Sequence, residues 1–151
     1  MGTEMPARLA AAEAVRRAMS ETGTRWADLA GLLGRSLVWT TSAILGAQPL
    51  SKDQVDLVAK HLGLSPEVAD SLCLPPVRSS GAVDLSEPVI YRLSEVVQVY
   101  GNAIQALVAE EFGDGIMSAI DFEVDFTRQV DPGGDRVKLV LSGKFLPYRV
   151  W

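Results

Sequence analysis

Arg92 and Glu95 stand three residues apart in a stretch of helical periodicity, so their side chains lie on neighbouring parts of one helical face. Two readings of the pair stay open. One is a solvated surface ion pair. The other follows from its neighbours: the same face carries Val99, Ala103 and Ala106, which want burial, and a buried arginine needs a carboxylate or a bound anion. Further on comes Glu111-Phe-Gly-Asp-Gly-Ile-Met-Ser-Ala-Ile-Asp-Phe122, in which Gly113 and Gly115 permit a tight exit from a helix and close approach of a ligand. Ser118 lacks the base of a nucleophilic triad, because the single histidine, His61, falls in the other half of the chain. Donation of a hydrogen bond to an anion, alongside backbone N–H groups, suits this serine better.

Other reactive residue types carry less. His61 sits late in a helix, where a positive or polar group suits the terminus, and has no Cys or His at ligand spacing. Cys73 stands between leucines and reads as a small buried hydrophobe. Gly133-Gly134 joins two strands and opens no helix, so it is turn chemistry and not a phosphate loop. Neither a metal nor an organic cofactor is expected.

The elements that must hold these residues are legible in two halves. Hydrophobic residues make up 48% of the 151 and charged residues 22%, the mixture of a globular chain and not of a disordered one. The first 74 residues read as five short helices. Leu9, Ala12, Val15 and Met19 mark the first, Ala7–Ser20. Thr24, Ser36, Ser51 and Ser65 are candidate caps for the next four, with Gly34, Gly46 and Gly63 as stops. Residues 75–88 form a Pro/Gly/Ser linker. A sixth helix runs from about Val89 to Glu111, and after Gly115 the period changes to two. Ile120, Phe122, Val124 and Phe126 alternate with polar residues, Asp131-Pro132-Gly133-Gly134 turns, and Val137 to Phe145 returns. The expected fold class is α+β, mainly α: a helix-turn-helix-like, repressor-like bundle (1–74), then a catalytic and oligomerisation domain (89–151) of one long helix and a two-stranded hairpin.

That second domain looks incomplete. Leu93, Val97, Tyr100, Ile104 and Leu107 form one apolar stripe on the sixth helix, and Val99, Ala103 and Ala106 line the other side. A helix apolar on both sides is buried on both. A lone hairpin is marginal in water, so another subunit is expected to interlock with it.

Composition also excludes partners. Residues 1–80 balance 8 Lys/Arg against 8 Asp/Glu, while residues 81–151 hold 6 against 11, so the whole net charge of −5 lies in the second half. No phosphate-neutralising surface is expected. The candidate recognition helix, Ser36 to Leu45, contains no Arg, Lys, Asn or Gln to read bases. No nucleic-acid partner is therefore expected, and a transcription-factor-like module is the disfavoured alternative. The early charges at Glu4, Arg8 and Glu13 leave no apolar signal core, Gly46 and Pro49 interrupt the longest uncharged stretch, and one cysteine forms no internal disulfide. A cytoplasmic protein without a membrane partner is the expectation.

The segment Pro88-Val-Ile-Tyr91-Arg92-Leu-Ser-Glu95-Val-Val-Gln98-Val99-Tyr100-Gly101 resembles the signature of the cyanase family around its catalytic arginine and glutamate. Phe112-Gly-Asp-Gly-Ile-Met-Ser118-Ala-Ile120 is similar to that family's serine motif, and Gly143-Lys144-Phe145-Leu146-Pro147 to its closing strand. In the first half, Trp26-Ala-Asp-Leu-Ala30 and Val38 to Gly46 resemble the family more loosely. Two departures stand out: Ser94 replaces a common tyrosine, and the Asp131-Pro132-Gly133-Gly134 turn is about one residue short. The resemblance implies a homodecamer of five dimers, with active sites between subunits. It implies bicarbonate-dependent decomposition of cyanate to carbamate and carbon dioxide, with bicarbonate as co-substrate and no cofactor. Arg92 would bind the anions, Glu95 would hold Arg92, and Ser118 with the Ala119 amide would donate hydrogen bonds. Leu146 would supply an apolar wall.

Overall fold

A computed structural model describes residues 7–76, 78 and 83–151. Glu4 and part of the expected linker, residues 77 and 79–82, lie outside the described residues. The elements are α1 (Ala7–Thr22), α2 (Trp26–Leu33), α3 (Leu37–Ile44), α4 (Lys52–Leu62), α5 (Pro66–Leu72), α6 (Pro88–Phe112), β1 (Gly115–Gln129) and β2 (Arg136–Pro147). The fold is α+β and mainly helical, with six helices followed by a two-stranded sheet. Two compact units make it up: α1–α5 with the hairpin tip Asp125–Lys138, and α6 with Leu139–Trp151 and β1 up to Val124.

Serine hydroxyls start three of the helices. Ser36, Ser51 and Ser65 each accept a hydrogen bond from the amide three residues on, satisfying an N–H that has no partner within the helix. Gln54 returns the favour to the Ser51 amide, completing a capping box. α2 differs from expectation: its cap is Arg25, not Thr24, because the Asp28 carboxylate accepts from the Arg25 amide. The Thr24 hydroxyl pairs instead with that of Thr22.

The core gathers Val15, Leu29, Ala43, Ile44, Val55, Val58 and Leu72. One charged residue joins them. Arg8, only 2% exposed, takes the buried position on α1 that periodicity would give to Leu9. Its Nη2 donates to the carbonyls of Ala43 and Gln48 at 2.7 and 3.0 Å, closing the C-terminus of α3 with a positive charge. Burial lowers its pKa, since desolvation disfavours the charged form. Cys73 corrects the expectation of a buried thiol: Leu72 fills the core, and Cys73 follows as the exposed cap of α5.

In the second unit no residue of α6 is buried within the single chain. Leu93, Val97, Val99, Tyr100, Ile104 and Leu107 are all exposed. At the hairpin tip, the Asp131 carboxylate accepts from the Gly133 amide, Arg128 reaches Asp135 at 3.3 Å, and Gly134 supplies the positive φ that the turn requires.

Candidate active site

Glu87 caps α6, its carboxylate accepting from the Ile90 amide, and Pro88 begins the helix with a φ already suited to it. Just before, the Ser86 hydroxyl and amide both donate to Asp84, holding that carboxyl below the usual range. Arg92 therefore stands near the start of a firmly initiated helix. Its Nη1 donates to Glu95 at 2.8 Å, and the guanidinium lies 5.5 Å from the centre of the Tyr91 ring. The Ser94 hydroxyl donates to the Tyr91 carbonyl, a short-range role that needs no aromatic ring at this position. The Arg92 side chain is 70% exposed, and its other N–H groups have no partner among the described residues. In the single chain the pair is thus a surface ion pair, and its free donors can meet an anion.

The other end of α6 positions the serine. Gly113 ends the helix at a φ of 92°, a conformation costly for any other residue. Phe112 stacks on Phe145, with ring centres 5.2 Å apart, and the Tyr148 amide donates to the Asp114 carbonyl. These contacts fasten the helix end to β2 just before Ser118. On a sheet that is otherwise open to solvent, Ser118 is only 5% exposed. Its Oγ accepts from the amides of Ile120 and Asp121, at 3.1 and 3.0 Å. Both lone pairs are thereby occupied, which leaves the hydroxyl proton to donate. Ala119 follows it, exposed, and Leu146 lies half-exposed on β2, its backbone beside Gly115.

The expected site residues therefore form two groups: Arg92 with Glu95, and Ser118 with Ala119. No hydrogen bond joins the groups. Along an α-helix the residues from Arg92 to Phe112 span about 30 Å, while the short segment from Phe112 to Ser118 reaches at most about 20 Å. Even a chain running straight back would leave the two Cα atoms about 10 Å apart. Sequence reasoning missed Tyr91 as a partner of Arg92, although their adjacency in the chain was the available signal. Among the described residues, no group of three His, Cys, Asp or Glu side chains is placed to hold a metal ion.

Comparison with known proteins gives this arrangement a family. Residues 8–75 match the model described as "Cyanate hydratase, N-terminal", and residues 82–150 match "Cyanate lyase C-terminal domain". A cyanate hydratase of Ralstonia pickettii is 49% identical over 127 residues, covering 83% of this chain and 86% of that protein. One from Methylobacillus flagellatus is 45% identical over 143 residues, covering 94% and 97%. The crystal structure of cyanase from T. urticae superposes with a TM-score of 0.81 at 36% identity, covering 91% of this chain and 97% of that one. With both halves matched in order and nearly the full length of these relatives spanned, the chain belongs to the cyanase family, the cyanate lyases.

Proposed function

We propose that the protein catalyses the bicarbonate-dependent decomposition of cyanate, in sites that two or more chains complete together. Both substrates are anions, so bringing them together in water is opposed by charge and by entropy, and a site must neutralise and align them. A bicarbonate oxygen attacks the cyanate carbon, and the adduct carries two negative charges. It then loses carbon dioxide and takes up one proton on nitrogen, which leaves carbamate. Carbamate takes up a second proton from water on its nitrogen and falls apart to ammonia and a second carbon dioxide without further help.

Arg92 binds the anions and stabilises the dianion, and Glu95 holds Arg92 and assists proton movement. Ser118 and the Ala119 amide donate hydrogen bonds to the same species, and Leu146 walls off water. This is charge stabilisation and positioning, so the reaction needs neither metal nor organic cofactor. The reading rests above all on two donors with hydrogens left to give, Arg92 in the first turns of α6 and Ser118 on β1, which no hydrogen bond joins within one chain. Such a separation suits a homo-oligomer in which α6 of one chain meets the hairpin of another, a decamer of five dimers by family analogy. Residues 1–74 then serve assembly in a cytoplasmic enzyme with no nucleic-acid or membrane partner; no described helix is long and apolar enough to cross a membrane. Residues 75–88 act as the linker, and residues 89–151 carry catalysis and oligomerisation.

Bicarbonate dependence tests the chemistry. Ammonia release from cyanate should stop in degassed, carbon-dioxide-trapped solution and return on adding bicarbonate. Full-rate cyanate consumption without bicarbonate would show direct hydrolysis instead.

A further inference from the structure

Glycine inside a strand weakens it, because it packs no side chain and loses the most backbone freedom on folding. β2 nevertheless places Gly143 in its interior, four residues before its end at Pro147. Its φ does not lie in the left-handed region, so the backbone itself would accept another residue. Space is what forbids one. A Cβ at this position would fall well inside van der Waals contact of the Ser118 carbonyl oxygen, 2.5 Å from Met117 Cγ and 3.1 Å from Phe122 Cδ2. Methionine and phenylalanine side chains can give way. A peptide carbonyl moves only if its peptide plane moves, and this plane belongs to Ser118.

The consequences for Ser118 are specific. Its Oγ must stay within hydrogen-bond reach of the Ile120 and Asp121 amides, because those two bonds occupy its lone pairs and leave the hydroxyl proton to donate. Tilting the Ser118 peptide displaces Oγ from one amide or both, and an amide that lets go frees a lone pair and a competing direction for the proton. We propose that Gly143 is a positioning residue: the missing side chain lets β2 close behind Ser118 and so aims its hydroxyl at the substrate anions. This rests on the reading of Ser118 as an anion donor.

The test is a double-mutant cycle on the full-length assembled enzyme, with Gly143→Ala, Ser118→Ala and the combined variant. Misplacing one group by about 1 Å costs on the order of 100-fold in rate, so Gly143→Ala should lose about 10- to 100-fold in kcat while its oligomer keeps the wild-type size. In the Ser118→Ala background the same change should cost no more than about twofold, because there is no longer a hydroxyl to misaim. An equal loss in both backgrounds would overturn the proposal, as would a Gly143→Ala enzyme of wild-type rate. If Ser118→Ala alone is fully active, it is the role of Ser118 that fails, and the positioning claim falls with it. Should Gly143→Ala not assemble, Met117→Ala/Gly143→Ala removes the flexible clash and leaves only the carbonyl. Assembly with lost activity then supports the proposal. Failure of both to assemble assigns Gly143 to hairpin folding and overturns it.

Discussion

Arg92 holds Glu95 with one N–H, and the remaining donors of its planar fork, without a partner among the described residues, are those proposed to hold the anions. Lysine would preserve the charge and lose the fork. Arg92→Lys should therefore lose roughly 30- to 1000-fold in kcat, the usual cost of a charged donor that acts on the transition state. Steady-state ammonia release measures it, and a variant within about threefold of wild type would demote Arg92 to a structural residue. At this scale sequence was informative where geometry is short-range. The spacing of Arg92 and Glu95 anticipates their ion pair, which is exposed in the single chain. The two amides on Ser118 Oγ could not be read, because they depend on a local turn of backbone and not on residue type. Arg8 was equally hidden: a charged letter signals surface, yet at this position it closes α3 from the inside.

The helices of the first unit were legible because their starts and stops are local chemistry. Ser36, Ser51 and Ser65 each do at the backbone what a hydroxyl at that place is expected to do. Thr24 failed because a carboxylate, Asp28, reached the neighbouring amide first. Alternation locates the strands but leaves them short, since their ends extend through residues that carry no regular apolar–polar alternation. The caps should carry measurable stability. Ser51→Ala should destabilise the fold by about 1 kcal/mol, and Ser51→Gly by only a few tenths. Thermal unfolding of both variants checks this, with the alanine midpoint expected lower by a few degrees. Equal midpoints would show that the capping box contributes nothing.

α6 offers apolar residues around most of its circumference and buries none of them in the single chain. The periodicity of the sequence calls for cover on both sides of this helix, which the oligomer proposed above would supply. For the proposed site, the motifs name Arg92 and Ser118, and helix geometry keeps their Cα atoms at least about 10 Å apart within one chain. If chains complete each other's sites as proposed, mixed oligomers will show it. Arg92→Ala and Ser118→Ala proteins, each nearly inactive alone, would be unfolded together, refolded, and verified as mixed assemblies. Sites that draw Arg92 from one chain and Ser118 from another should then restore ammonia release well above the sum of the two parents. Activity equal to that sum would contradict the claim and place a complete site within each chain.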